Sequence, residues 1–177
     1  NEYKLSDLGR SSSKNHSAPT DSIPFPGDTS YAPPEYKYGF IPNDYHDRRY
    51  GSDAYLLGSM ISFLYCGLGA LSLTLMNLPR QYHSNASGSF ADVLPFLINA
   101  HTKAIINLKP NLPNEYREEL AKIYFELCHP DPQVRGHPIT RTLPGKLIGL
   151  ERYVSRFDFI AKKSKINDRK REIQSAP

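Results

Sequence analysis

The longest uncharged stretch of the chain, residues 54–79, most constrains how this sequence can fold. Its 26 residues hold no charged side chain, and as one helix they would extend roughly 39 Å, enough to cross a bilayer. Gly58, Gly67 and Gly69 interrupt the stretch, and serines are scattered through it. We therefore favour a buried helix at the centre of a helical domain, ending near Cys66, over a membrane span. Asp53 suits the start of this helix, with Ser52 as its cap.

Charge is concentrated near the end of the chain. The formal net charge is +4, and one short segment carries all of it. Its six basic residues and two acidic residues are Lys162, Lys163, Lys165, Arg169, Lys170, Arg171, Asp168 and Glu172. Residues 1–160 are formally neutral, which argues against a broad nucleic-acid-binding face. We expect residues 161–177 to form a frayed, solvated basic tail, with a polyanion or membrane-surface role as the alternative.

The cysteines and histidines indicate no metal site and no disulfide framework. Cys66 and Cys128 both lie among apolar residues and form no Cys-x-x-Cys pair, so they are interpreted as buried thiols in a reducing, cytoplasmic compartment. The six histidines are dispersed, without the spacing of metal ligands.

The first 42 residues differ from the rest. Residues 2–8 alternate weakly between apolar and polar side chains and predict a short strand that turns at Gly9. Prolines then exclude any long helix as far as Pro42. A loop of this length inside a compact domain is usually functional or disordered.

Helical patterns dominate the remainder. An apolar stripe begins at Phe90, and residues 100–108 either continue that helix or form another. The clearest amphipathic helix covers residues 114–128, with Leu120, Ile123, Tyr124 and Leu127 on its apolar face. A last helix is expected over residues 143–160, with Leu147, Leu150, Val154 and Phe157 on one side.

Three segments together resemble motifs of eukaryotic-type Ser/Thr protein kinases. Asp7-Leu8-Gly9 is similar to the metal-binding Asp-Phe-Gly segment. The segment from Gly27 to Glu35 resembles the end of the kinase activation segment, Gly-Thr-x-x-Tyr-x-Ala-Pro-Glu, although Asp28 replaces the usual Thr. Asp53 opens a string similar to Asp-x-Trp-x-x-Gly, which begins the central helix of the kinase C-terminal lobe. The three occur in the family's order and spacing.

The resemblance implies roles for particular residues. Asp7 would hold the Mg²⁺ that bridges the phosphates of ATP, and Leu8 would join the hydrophobic spine. Asp53 would anchor the catalytic loop. Glu35 would form a buried ion pair with Arg135, which follows Asp131-Pro132 as in the family. The substrate-facing shelf would comprise Thr29, Ser30, Tyr31, Ala32, Pro33 and Pro34.

Several kinase motifs are missing from the sequence: the glycine-rich loop, the nucleotide-binding lysine and the His-Arg-Asp catalytic loop. We therefore expect a mainly α, protein-kinase-like C-terminal lobe built around a central buried helix. Residues 1–42 would be the metal-binding segment and activation-segment-like loop, 43–160 the helical lobe, and 161–177 the tail. The N-terminal lobe would come from a parent chain or a partner, and this polypeptide alone would not phosphorylate a protein substrate.

A non-catalytic reading stays open beside the catalytic one. In it, the chain is a pseudokinase-like or split-protein interaction module. Exposed apolar surface at the place where missing segments should dock would favour association or instability.

Overall fold

The described part of the protein is mainly helical. The structure, a computed structural model, describes residues 11–16, 18–84, 88–145 and 147–175. No strand occurs within these ranges, and Ser13 and His16 form an isolated β-bridge. The α-helices are α1 (Pro34–Lys37), α2 (Gly51–Cys66), α3 (Ala70–Met76), α4 (Phe90–Leu108), α5 (Arg117–Leu127), α6 (Pro138–Thr142) and α7 (Leu150–Ser175). The expected strand over residues 2–8 lies outside the described residues.

The central helix ends where the sequence predicts. Gly67 follows Cys66 in the left-handed conformation, with φ of 70°, and its N–H donates to the Phe63 carbonyl. Glycine adopts this conformation without steric strain, which explains the stop. The chain then starts a separate short helix, α3, at Ala70. The predicted break in the uncharged stretch is confirmed.

The predicted start of this helix is wrong. A π-helical turn, His46–Tyr50, runs directly into α2, so helical structure begins before Asp53. The cap is Asp44, whose Oδ1 accepts from the N–H groups of His46 and Asp47 at 2.9 and 3.1 Å. The Ser52 hydroxyl instead donates to the Arg48 carbonyl at 2.6 Å. Asp44 lies at the first N–H groups of the helix, whereas Ser52 already has a carbonyl one turn behind it.

The core forms where α2 crosses α5. Tyr55 and Ile61 of α2 pack with Ile123, Tyr124 and Leu127 of α5 in one buried cluster. The crossing is close because α2 carries a glycine there. A methyl group at Gly58 would lie 2.5 Å from Cys128 Sγ and 2.8 Å from Leu127 Cβ. The predicted apolar face of α5 is confirmed, since its four residues are all buried.

Helix α4 is one continuous helix, Phe90–Leu108, which settles the alternative left open by the sequence. It begins with a capping box between Ser89 and Asp92. Its buried face carries Phe90, Val93, Leu97, Ala100, His101, Ala104, Ile105 and Leu108. This face packs against α3 and α5.

The last helix departs from its prediction in both position and length. The sequence predicts a helix over residues 143–160, but α7 begins at Leu150 and continues to Ser175. Leu147 and Val154 are exposed, whereas Tyr153 is buried. The expected frayed tail is instead helical as far as Ser175, and the turn before α5 holds it. Asn167 donates to Glu115 Oε2 at 2.8 Å, and Arg171 pairs with Glu115 at 2.6 Å.

No single helix among the described residues is both long enough and apolar enough to cross a bilayer. The segments His46–Cys66 and Ala70–Met76 pass that test only as a pair, bent by 70° at the break between them.

Candidate functional site

A buried ion pair joins two distant segments of the chain. The guanidinium of Arg135 donates through Nη1 to Glu35 Oε1 at 2.8 Å and through Nη2 to Glu35 Oε2 at 2.7 Å. Both side chains have 0% exposure. Two parallel charge-assisted hydrogen bonds are the strongest geometry available to this pair. The structure therefore brings together two predicted residues that are 100 positions apart.

Arg135 also donates to three backbone carbonyls, two in the turn after α5 and one at the start of α2. Its Nε donates to the carbonyl of His129 at 2.9 Å, Nη1 to Gly51 at 3.2 Å and Nη2 to Pro130 at 3.5 Å. Its guanidinium carbon lies 5.0 Å from the centre of the Tyr55 ring. Burial opposes protonation, but the adjacent Glu35 carboxylate outweighs it and raises the pKa of Arg135. The pair thereby joins α1, the start of α2 and the turn after α5.

The loop that leads to Glu35 divides into an exposed part and a buried part. Thr29, Ser30 and Tyr31 are exposed, whereas Ala32, Pro33 and Pro34 are buried. Of the predicted substrate shelf, only the first three side chains are thus open to another molecule. They lie at the rim of the region that the ion pair holds in place.

Asp28 shapes the exposed part of this loop. Its Oδ1 accepts from the Ser30 N–H at 2.8 Å, and this hydrogen bond lowers the pKa of the carboxyl. Next to the loop, Thr29, Ser30, Tyr36, Lys37, Leu71 and Ser72 line a cavity of about 410 Å³. The loop and the cavity together form an open, partly polar surface.

A second cavity, of about 300 Å³, lies at the start of α2. Ser12, Phe25, Tyr45, Arg49, Asp53 and Leu56 are among its lining residues. The Ser12 hydroxyl lies 3.1 Å from that of Tyr45 and joins the N-terminal loop to the π-helical turn. Asp53 is exposed, but desolvation by the surrounding cavity wall raises the pKa of its carboxyl, and the nearby charge of Arg49 offsets only part of that rise. We call this space the Arg49–Asp53 cavity.

Arg49 is only partly satisfied in this cavity. Its Nη2 donates to the carbonyls of Thr20, Asp21 and Ile23 at 3.2–3.4 Å, and it lies 3.8 Å from the Asp21 carboxylate. Within the described part of the chain, its Nε and Nη1 have no hydrogen-bond partner, although the side chain is only 8% exposed. Buried donors without partners are rare in folded proteins. The wall of the Arg49–Asp53 cavity thus combines an arginine that has two nitrogens without an acceptor among the described residues and the Asp53 carboxylate.

An apolar groove continues from this cavity along α2. It has a volume of about 420 Å³, and Tyr31, Leu56, Leu57, Met60 and Phe63 line it. Met60 and Phe63, together with Leu64 on the following turn, are each more than half exposed. The helix that the sequence predicts to be apolar all round is therefore buried on one side only. We call this open side the α2 apolar face.

Sequence reasoning missed two buried groups near the site. Arg49 stands beside Arg48 in an ordinary charged run, and nothing in the sequence distinguishes it. His101 is one of the six dispersed histidines, and the structure buries it against Tyr124 and Phe125, on which it stacks. Burial lowers its pKa to about 3. Its place on the apolar side of α4, four residues after Leu97 and three before Ala104, was the available signal.

The predicted metal ligand, Asp7, and its neighbour Leu8 lie outside the described residues. Among the residues that are described, no group of three or more His, Cys, Asp or Glu side chains could hold a metal ion. The described residues therefore do not by themselves fit a Mg²⁺ site, and no chemical step is derived through one.

The chain was compared with protein-family models, curated proteins and solved structures. No family model matches the chain, no curated protein matches it, and no solved structure matches it.

Proposed function

We propose that this chain is the C-terminal lobe of a Ser/Thr protein kinase. The single observation that carries the proposal is the buried Glu35–Arg135 pair. It fastens α1, at the end of the Pro-rich loop, to the turn after α5. The resemblance assigns that arrangement to the acid of Ala-Pro-Glu and its arginine. The chain would contribute part of a site that transfers the terminal phosphate of ATP to a hydroxyl of a protein substrate.

The pinned loop supports a substrate-binding role. Because Glu35 is held bidentately and Ala32–Pro34 are buried, the preceding exposed residues sit on a fixed base. A fixed surface lowers the conformational entropy lost when an extended peptide binds. In this proposal, Thr29, Ser30 and Tyr31 face the protein substrate.

Two open regions beside α2 support the proposal that a catalytic loop and an N-terminal lobe from further sequence complete the site. The Arg49–Asp53 cavity offers free N–H donors and a carboxylate acceptor, which is the pairing that a peptide backbone needs. The α2 apolar face offers exposed Met60 and Phe63 beside it. A catalytic loop would dock with its carbonyls on Arg49 and its N–H groups on Asp53, and apolar side chains of the same lobe would cover the groove.

The remaining roles follow the resemblance. Asp7 would hold the Mg²⁺ bound to ATP once the nucleotide-binding lysine and catalytic loop are supplied by a parent chain or a partner. Free Cys66 and Cys128 suit the reducing conditions of the cytoplasm. The chain alone lacks a base to accept the substrate proton and a lysine for the phosphates, so it would not transfer phosphate by itself.

The test compares two proteins in an assay for transfer of radiolabelled phosphate from ATP to a basic protein substrate. One is this chain, and the other is the product of the whole open reading frame that encodes it. We expect transfer only by the longer protein, with complete loss in its Asp7→Ala variant. Transfer by the short chain that Asp7→Ala abolishes, or transfer by the long protein that survives this substitution, would contradict the proposal.

A non-catalytic interaction module is the second candidate, and the α2 apolar face favours it. An exposed apolar groove next to unsatisfied polar groups is typical of a surface that a partner covers. An open reading frame without the lysine and catalytic-loop motifs, combined with a stable complex that buries this face, would support the module over the kinase.

A further inference from the structure

The last helix, α7, has one side docked and the opposite side free. On the docked side, Asn167 donates to Glu115 Oε2 at 2.8 Å and to the Tyr116 hydroxyl at 3.2 Å, and Arg171 pairs with Glu115 at 2.6 Å. Lys163 lies 5.6 Å from the centre of the Tyr116 ring. These contacts fix the rotation of the helix about its axis. They therefore decide which side chains point away from the protein.

Three large apolar side chains form a row on the free side. Phe159, Ile166 and Ile173 are 65%, 53% and 76% exposed, respectively. They are spaced seven residues apart, so they fall nearly in line along the helix. At 1.5 Å per residue, the row is roughly 21 Å long. Such exposure of apolar residues in one line is unusual for a surface that meets only water.

Basic residues border this row on both sides. Lys162 and Arg169 stand three positions after the first two apolar residues, and Lys163 and Lys170 stand four positions after them. In a helix, the third and fourth positions lie on either side of the starting residue. Lys162 also pairs with Asp158 at 2.6 Å and is still 73% exposed. Four of the six basic residues between positions 162 and 171 thus border one apolar row.

We propose that this face of α7 binds the surface of an anionic lipid bilayer. The helix lies parallel to the membrane plane, with Phe159, Ile166 and Ile173 entering the boundary between headgroups and acyl chains. Lysine and arginine reach from both flanks to the lipid phosphates, and their alkyl stems cover the edges of the apolar row. A bilayer surface matches both the positive charge and the linear exposed apolar side chains.

Other partners match fewer of these observations. An acidic protein that wraps around a helix would have to break the contacts of Asn167 and Arg171 with Glu115, whereas a bilayer touches only the free side. A polyanion such as nucleic acid would pair with the basic residues and leave the apolar row in water. The bilayer uses the free side and keeps the docked side intact.

The test is co-sedimentation of the full chain with two kinds of vesicle, one of phosphatidylcholine and the other of an equal mixture of phosphatidylserine and phosphatidylcholine. We expect binding to the anionic vesicles only. The double variant Arg169→Glu/Lys170→Glu should weaken it by at least about tenfold, since each basic residue near such a surface adds roughly fivefold to the affinity. Its matched control is Lys103→Glu/Lys122→Glu, the same charge change at exposed positions of α4 and α5, which should leave most of the binding.

The apolar row has its own pair of variants. Ile166→Ala/Ile173→Ala should weaken binding by about tenfold, because less apolar surface enters the bilayer. Alanine favours helix, so the fold should be retained, which circular dichroism checks. Leu64→Ala, at an exposed apolar residue of α2, is the control and should bind as the parent does. This control distinguishes vesicle binding through the α7 row from non-specific hydrophobic binding through the α2 apolar face.

Four results would overturn the proposal. The first is no preference for anionic vesicles. The second is equal loss of binding in the two charge-reversal variants, which would mean that net charge alone drives it. The third is binding to heparin that is as strong as binding to anionic vesicles, with neither changed by Ile166→Ala/Ile173→Ala. That result would mean that the helix binds polyanions through charge alone. Binding only to an acidic protein such as calmodulin, with none to vesicles, would also reject it.

Discussion

Two buried arginines in this protein have opposite surroundings. Arg135 is fully enclosed, and each of its three nitrogens donates to an acceptor, Glu35 among them. Arg49 is 8% exposed, and within the described residues only one of its nitrogens has partners. A buried guanidinium is stable only when its donors are satisfied. Among the described residues, Arg135 has a full set of acceptors, whereas Arg49 keeps two nitrogens without one.

The largest expected effect comes from removing the enclosed arginine. Arg135→Met leaves the Glu35 carboxylate buried without a partner, and we expect the free energy of unfolding to fall by about 3–5 kcal/mol. Urea denaturation at neutral pH measures this loss. The double variant Glu35→Leu/Arg135→Met should recover part of it, because no uncompensated charge then remains. A loss below about 1 kcal/mol for Arg135→Met would show that the pair is not buried.

The second effect tests the surroundings of Arg135 through pH. His101 lies in the same core, where burial and the positive charge of Arg135 both lower its pKa, to about 3 from 6.5. Its contribution to stability is therefore fully present above pH 6.5. Below pH 6.5, His101 binds a proton in the unfolded chain but stays neutral in the folded chain. The free energy of unfolding therefore falls as the pH falls toward 3.

The measurement compares variants across this window. Between pH 6.5 and about 4.5, His101 should remove about 2–3 kcal/mol, at 1.4 kcal/mol per pH unit. His101→Gln should make the urea stability less dependent on pH in this range. His16→Gln, at an exposed histidine, is the control and should follow the parent. If the free energy of unfolding depended on pH identically in the parent and in His101→Gln, His101 would be exposed to solvent rather than buried.

The third effect tests the open region. Arg49→Met removes the hydrogen bonds to the carbonyls of Thr20, Asp21 and Ile23. We expect a loss of about 1–2 kcal/mol, smaller than that for Arg135→Met because these bonds are long and no buried carboxylate is left unpaired. Limited proteolysis should cut residues 18–24 faster in this variant. If Arg49→Met and Arg135→Met destabilised the chain equally, the distinction between the two arginines would fail.

The smallest effect is expected at Asp53. Desolvation raises the pKa of Asp53, so folding disfavours its charged form relative to the unfolded chain, and the residue is exposed. Asp53→Asn should therefore change the free energy of unfolding by no more than about 0.5 kcal/mol. In a protein that also holds the catalytic loop, the same substitution should reduce phosphate transfer, since the proposal gives Asp53 backbone N–H groups to bind. A large loss of stability in the chain alone would show that Asp53 already has a structural partner.

Sequence reasoning succeeded where local rules decide structure. Gly67 and Gly69 predicted the helix break. Gly67 ends α2 in the left-handed conformation, which only glycine reaches freely, and Gly69 is extended just before α3. The spacing of Leu120, Ile123, Tyr124 and Leu127 predicted the buried face of α5. The reach of α7 was missed, because its last turns are held by Glu115 and Tyr116 from a distant element rather than by their own composition.

The sequence by itself determined a mainly helical chain with a broken central segment, a Pro-rich loop and a basic end, because periodicity, glycine and proline act within a few residues. Only the tertiary structure decided which charges are enclosed. Arg49 and Arg135 are alike as residues, and His101 resembles any histidine in a helix. Their different states arise from what the fold packs around them, since hydrogen-bond partners and exclusion of water come from segments far apart in the chain.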